Sequence, residues 1–286
     1  MNLNKYKAPE GKKVLLKNYS TDSTGGIKDK NKAVNQLEKN KSKMIELQDK
    51  LYAHNQHSLL IIFQAMDSAG KDSAIKHVMS GLNPQGTQVF SFKQPSKEEL
   101  DHDYLWRTTK ALPERGRIGI FNRSYYEEVL VVKVHDLIKY QNIPKERVKK
   151  NIWKNRYNDI RNFEEHLYQN GTTIIKFFLN LSKDEQKIRF IKRLDTPSKN
   201  WKFSAGDLEE RKLWNKYQNC YQDAISETST KNSPWYIVPA DNKWFTRLVI
   251  SDVIVNTLQK LKMKYPTLDA EQLSNIDKYK EELSKD

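Results

Sequence analysis

The segment Phe63-Gln64-Ala65-Met66-Asp67-Ser68-Ala69-Gly70-Lys71-Asp72-Ser73 concentrates groups that can handle phosphate. A glycine lets the backbone approach an anion closely, and the lysine beside it brings a point charge. A helix starting there would aim free N–H groups and the positive end of its dipole at the same ligand. The pattern reads AxxxxGKD and departs twice from the usual phosphate-loop form GxxxxGK[ST]. Ala65 stands where the first glycine is usual, and Asp72 where a hydroxyl residue normally meets Mg2+. Two carboxylates in a phosphate cradle repel the ligand unless a cation intervenes. Mg2+ binds through one or two carboxylates plus phosphate oxygens, so Asp67 and Asp72 are candidate Mg2+ ligands. Asp67 has a second reading, orienting or deprotonating an acceptor phosphate; Asp72 has one too, as a charge at a helix N-terminus. Ala69, Gly70, Lys71, Asp72, Ser73 and Lys76 form the expected phosphate-contacting set. The plain alternative is an ordinary strand-to-helix turn.

A second set follows a later apolar run, at Asn122-Arg123-Ser124-Tyr125-Tyr126-Glu127-Glu128. Arg123 suits phosphate because its planar fork pairs with phosphate oxygens; the alternative is a structural arginine paired with a nearby acid. Asn122 occupies the place where a metal-binding aspartate is usual in phosphate-loop proteins, with Glu127 and Glu128 just beyond. A third set is basic: Lys187, Arg189, Lys192, Arg193, Lys199 and Lys202. Arg189 and Arg193 are four apart and share a helix face, which suits a lid closing over a transferring phosphate or simply a solvated basic helix. The six histidines, His54, His57, His77, His102, His135 and His166, form no recognisable ligand pair or triad.

These groups need a scaffold. Leu59 to Phe63 reads as a buried parallel strand, and Ala74 to Met79 after the loop as a helix. Further strands are expected at Val89–Phe92, Ile118–Phe121, Thr173–Leu181 and Trp235–Val238. A charged amphipathic helix over about 28–55 carries Val34, Leu37, Met44, Leu47 and Leu51 at helical spacing. Pro144 opens an expected helix bearing Val148, Ile152, Tyr157, Ile160 and Phe163. Ser204-Ala205-Gly206-Asp207 resembles a capping box ahead of a helix with Trp214, Tyr217, Tyr221 and Ile225. A last helix carries Leu248, Val255, Leu258 and Leu261. Strands alternating with helices predict an α/β fold, a parallel sheet covered on both faces. The expected division is an N-terminal arm and helix over 1–56, a phosphate-loop domain over 57–265 with a lid near 184–212, and a polar tail over 266–286.

Composition narrows the partners. Fifty Lys and Arg against 36 Asp and Glu give a formal charge of +14, which suits a polyanionic ligand or a merely solvated basic surface. The single cysteine, Cys220, permits no internal disulfide. The N-terminal residues lack the apolar core of a signal peptide, and no apolar run is long enough for a bilayer. A cytoplasmic protein without membrane partners is the expectation.

Taken together, the loop Ala65–Asp72, Met79-Ser80-Gly81-Leu82-Asn83-Pro84-Gln85-Gly86, Phe92-Lys93-Gln94-Pro95-Ser96, Asn122–Val129 and Asp195-Thr196-Pro197-Ser198-Lys199-Asn200-Trp201-Lys202 resemble the family-2 polyphosphate kinases, from about Tyr6 to about Lys262. That resemblance implies a P-loop kinase fold akin to thymidylate kinases, inorganic polyphosphate as donor, a nucleotide as acceptor and a requirement for Mg2+. It implies active-site roles for Asp67, Lys71 and Arg123, and lid roles for Arg189 and Arg193. Many single-domain members carry Asp-Arg-Ser-Trp-Tyr-Asn at the second motif. The version here, Asn122 to Glu127, is similar to the class that phosphorylates both AMP and ADP, and makes Glu127 a candidate for handling acceptor or metal. Guanine nucleotides are a further acceptor class, and a homo-oligomer, dimer or tetramer, is expected from the family. The rivals are an ATP-dependent nucleotide kinase of the same fold and a non-catalytic nucleic-acid-binding module, for which no reading motif is present.

Overall fold

The computed structural model describes residues 1–285. Among these residues one sheet of five parallel strands forms, β1 (Ser58–Ala65), β2 (Thr87–Ser91), β3 (Ile118–Asn122), β4 (Thr172–Asn180) and β5 (Trp235–Pro239), in the order β2-β3-β1-β4-β5. β1 lies at the centre, pairing Phe63 with Asn122 on one side and Gln64 with Phe178 on the other. Every residue of β1 is buried, as expected of a strand covered on both faces, and its apolar run follows from that.

Alternation along the strand separates two cores. Leu59, Ile61, Phe63 and Ala65 face a cluster formed with α1 (Lys30–His54), α2 (Lys71–Val78) and a long helix near the C-terminus, Lys243–Lys260. Leu60 and Ile62 face the other cluster, which holds Tyr125 and Tyr126, then Tyr157 and Ile160 of α3 (Ile152–Gln169), and Tyr217 and Tyr221 of Trp214–Thr228. Between these stand α4 (Lys183–Leu194) and α5 (Ala205–Lys212). Trp214–Thr228 is α6 and Lys243–Lys260 is α7.

All five expected strands are present, and the fold is the α/β phosphate-loop architecture anticipated from the alternating pattern. Four expectations need correction. The helix expected from Pro144 begins only at Ile152; Pro144 precedes a single 3-10 turn, Lys145–Arg147. That stretch is almost wholly charged and offers no apolar face to bury. Ser204 caps α5 through the Gly206 N–H, but α5 ends at Lys212 and the aromatic helix α6 starts afresh at Trp214. Asp207 pairs its carboxylate with Arg193. Val34 of α1 is 40% exposed, outside the buried stripe of Leu37, Met44, Leu47 and Leu51. Finally, α7 is not the last helix, because Ala270–Ser274 and Ile276–Leu283 follow in the polar tail.

The N-terminal segment is built into the fold. The Ala8 N–H donates to the Trp235 carbonyl and the Ile237 N–H to the Tyr6 carbonyl, so the chain covers the free edge of β5 in antiparallel fashion. Tyr6, Ala8, Val14 and Leu16 are buried. An unpaired strand edge is a template for wrong pairing, and this segment closes it.

Candidate active site

The loop after β1 turns back on itself before α2. Ser68 and Gly70 both have positive φ, 61° and 101°. At Gly70 this is the conformation a side chain resists, and a Cβ there would meet the Arg189 guanidinium at 3.6 Å. α2 starts at Lys71, with Gly70 at its N-cap and no side chain occupying its first N–H groups. The loop and helix therefore present free backbone donors beyond the carboxyl end of the central strand, where ligands bind in open α/β sheets.

Lys71 bends across the loop, and its Nζ donates to the Ala65 carbonyl at 3.1 Å. One of three N–H groups is thereby engaged. The side chain is 9% exposed. Burial pushes its pKa down, against the opposing pull of Asp67. Arg123 follows β3 with φ 65°; its N–H donates to the Phe63 carbonyl at 3.0 Å, so the second motif is tied to the strand that bears the first. Its guanidinium lies 3.4 Å from the Asp67 carboxylate, with both side chains partly exposed. Burial opposes the Arg123 charge, but Glu127 and Asp67 outweigh it and hold its pKa up. Glu127 faces the same space. Burial raises its pKa, while Arg123 and Lys71 pull it down. Two cations and two carboxylates thus converge at the mouths of β1 and β3, charges that a phosphate and its counterion can exchange into.

Other expected residues take different positions. Asn122 donates to the Asp72 carboxylate at 2.7 Å, joining the two motifs through an amide where an acid is usual. Ser73 accepts a hydrogen bond from Arg247 of α7 at 3.0 Å. Arg193 reaches from α4 to the Ser68 hydroxyl at 2.6 Å and pairs with Asp207 at 3.1 Å. Arg189, expected as a lid cation, lies beneath the loop. Its Nε donates to Glu185, Nη1 to the Ser68 and Ala69 carbonyls, and Nη2 to the Ala240 and Asp241 carbonyls. All five of its donors are engaged by the protein, so Arg189 holds the loop instead of waiting for phosphate. Lys76 is exposed on α2, and the exposed Lys202 rests its ammonium over Trp201, 5.0 Å from the ring centre. The Lys202 carbonyl accepts from Arg193 Nη1 at 2.9 Å, so Lys202 meets the others through its backbone and not its ammonium.

The residues Tyr125–Val129, capped by Ser124, form a 3-10 turn gripped by two buried ion pairs. Tyr125 and Tyr126 both donate to Glu164, which pairs with Lys176 in the middle of β4. Lys176 also donates to Tyr126 Oη and to the Thr228 carbonyl. On the other side Arg156 holds both the carbonyl and the carboxylate of Glu128. Arg123 and Glu127 stay outside these two ion pairs. Sequence reasoning did not find Lys176, Glu164 or Arg156. A lysine inside the apolar run Thr172–Asn180 was the available signal, since a fully buried lysine requires a partner.

Asp67 and Asp72 were the expected Mg2+ ligands. Among the described residues no group of three or more His, Cys, Asp or Glu is placed to hold a metal. That donor set fits an ion taking one or two carboxylates and the rest of its oxygens from phosphate and water, the manner of Mg2+ at phosphate sites. The Asp67 side chain is partly exposed and Asp72 is exposed beside Lys71, so both carboxylates are accessible to an ion.

A phosphate loop carrying Gly-Lys after the central strand of this sheet, with an arginine motif on the neighbouring strand, defines a phosphoryl-transfer enzyme. The chain belongs to the polyphosphate kinase 2 family, whose model matches residues 27–266. It is 55% identical over 263 residues to an ADP-polyphosphate phosphotransferase of Rhodopseudomonas palustris, covering 91% of each chain. It is 44% identical to an AMP/ADP-polyphosphate phosphotransferase of Meiothermus ruber, covering 92% of this chain and 96% of the other. The crystal structure of polyphosphate kinase 2 from Arthrobacter aurescens TC1 superposes with a TM-score of 0.86 at 38% identity, over 95% of both chains.

Proposed function

We propose that the chain transfers the terminal phosphoryl group of inorganic polyphosphate to AMP and to ADP, reversibly, with Mg2+. The observation that carries this reading is the convergence of Lys71, Asp67, Arg123 and Glu127 beyond β1 and β3 in a member of this family. Lys71 and the loop amides receive the donor phosphates, and Arg123 offsets their charge. An acceptor phosphate oxygen attacks the terminal phosphorus in line, forming one P–O bond as the bond to the shortened chain breaks. Such chemistry asks the protein for positioning and electrostatic stabilisation. A bound Mg2+, held by Asp67 and Asp72, would neutralise charge between donor and acceptor. The hairpin of α4 and α5 acts as the lid, with Arg193 as its contact to the loop. Guanine nucleotides are a second acceptor class, the working form is a dimer or tetramer, and the site of action is the cytoplasm; among the described residues no helix is long and apolar enough to cross a membrane.

A donor exchange tests the reading. With AMP and polyphosphate, ADP and then ATP should form, and neither should form from AMP without polyphosphate. Equal product from AMP with ATP as sole donor would overturn it in favour of an ATP-dependent nucleotide kinase.

A further inference from the structure

His135, Glu210 and Tyr217 meet from three separate elements. His135 follows the short helix Val131–Val134, which continues the chain from the Tyr125–Val129 turn of the second motif. Glu210 lies on α5 and Tyr217 on α6. The Tyr217 hydroxyl donates to the Glu210 carboxylate at 2.6 Å, and His135 Nε2 stands 3.0 Å from the same oxygen. A carboxylate only accepts, so His135 bonds to it only with a proton on Nε2. Tyr217 is 7% exposed. Burial, then Glu210, Glu127 and Asp67, push its pKa up, so its hydroxyl keeps its proton. Among the described residues Glu210 pairs with no cation other than His135. The neighbouring charges are engaged elsewhere: Lys133 with Asp223 and Tyr157, Asp136 with Lys139, Glu209 with Lys212, and Arg211 with Gln186 and the Lys183 carbonyl. Glu210 stands three residues beyond Asp207, on the same side of α5. Asp207 holds Arg193, which reaches Ser68. The helix α5 is thereby tied to the phosphate loop through Arg193 and to the second motif through His135.

We propose that His135, Glu210 and Tyr217 are positioning residues, a proton-sensitive clasp that seats α5 and so holds Arg193 at the phosphate loop. This rests on the reading of the α4–α5 hairpin as the lid. The clasp has two strengths. A neutral imidazole with its proton on Nε2 gives a bond from a neutral donor, and that proton can move to Nδ1 and break it. An imidazolium makes the same bond between opposite charges, which is shorter and stronger. Imidazole gains its second proton near neutral pH. The closed lid favours the charged ring, so closing takes up a proton, and the clasp tightens as pH falls and loosens as it rises.

The test uses His135→Ala, His135→Gln, Glu210→Gln and Tyr217→Phe in the full chain. Trypsin cleavage after Lys199 and Lys202, mapped by mass spectrometry, reports opening of the turn that joins α4 to α5. Protection is the ratio of cleavage rates without and with polyphosphate and ADP, a ratio that cancels trypsin's own pH dependence. In the parent it should be greater at about pH 6 than at about pH 8. His135→Ala and Glu210→Gln should lose protection at the lower pH on the order of tenfold, as for one bond to a charged group. His135→Gln offers a neutral N–H in the same place, so it should keep the protection seen at the higher pH and lose the rise on acidification. Tyr217→Phe removes one donor and keeps the ring, and should give a smaller loss in the same direction. The kcat/KM for AMP and ADP should follow protection across the set, with thermal midpoints near that of the parent. Parent-like protection and kinetics in His135→Ala and Glu210→Gln would overturn the clasp and leave the lid standing. So would a rise on acidification that persists in His135→Gln, or a fall in thermal midpoint with unchanged protection per folded molecule. If substrates do not protect the parent at all, the lid fails and the clasp with it. Should His135→Ala not fold, His135→Gln and Tyr217→Phe carry the same comparison.

Discussion

At the scale of the residue, Lys71 and Arg189 show how two cations four ångströms or less from the same loop can differ in role. Lys71 has one partner and two donors to spare; Arg189 has five donors and five protein acceptors. Lys71→Ala and Asp67→Ala are each expected to abolish phosphotransfer while the circular-dichroism spectrum and unfolding midpoint stay near native. A variant of either kind with a near-native rate would remove it from the site. Arg189→Lys should behave differently. A single ammonium cannot reach carbonyls on both the loop and the β5 end, so stability should fall by about 1–3 kcal/mol, as for unmatched buried acceptors, when followed by urea unfolding. The Glu127→Asn exchange asks a separate question, and its readout is the ratio of ADP to AMP use. An unchanged ratio would mean that this carboxylate does not set acceptor choice.

At the scale of the element, the Ser124–Val129 turn is fixed by ion pairs that lie wholly inside the fold. Lys176 is 0% exposed and burial pushes its pKa down, against the raising influence of Glu164. Removing one partner strands the other. Lys176→Met should therefore cost about 3–5 kcal/mol, while the double variant Lys176→Met/Glu164→Gln should recover part of that loss; equal losses in the two would show that no coupling exists. The N-terminal segment makes a second case. Its lysines, glycines and lack of helical or strand runs mark it in sequence as an arm. Its buried residues fall in two short pairs, Tyr6 with Ala8 and Val14 with Leu16, split by the polar stretch 9–13, because the chain crosses a sheet edge and then a helix face. Deleting residues 1–19 should lower solubility and the unfolding midpoint by exposing the β5 edge, which light scattering and thermal unfolding would report.

At the scale of the whole molecule, the formal charge of +14 acquires a use. A donor with about one negative charge per phosphate unit releases counterions on binding, as nucleic acid does. The KM for polyphosphate should rise steeply with salt concentration while the KM for AMP rises little. Parallel salt slopes for the two substrates would argue that the excess charge serves solubility alone.

The amino-acid sequence by itself determined the parallel sheet, the phosphate loop and the pairing of that loop with the arginine motif. These depend on local pattern: five apolar runs separated by helices, a Gly-Lys step after the first, and a basic residue after the third. The placement of side chains beyond the motifs was decided only by tertiary structure. Arg189 and Arg193 share one helix face, yet one lies under the loop and the other at its rim, because their partners come from segments far off in the chain, Ser68, Ala69, Ala240 and Asp241 for Arg189 and Ser68 and Asp207 for Arg193. Lys176 and Glu164 are twelve residues apart with no local signature, and the burial that makes them a pair exists only once α3 lies on β4. Gln64 sits within the loop segment in full view. Only the closed packing around it, which leaves its amide without a protein hydrogen-bond partner, sets it apart from the strand residues on either side.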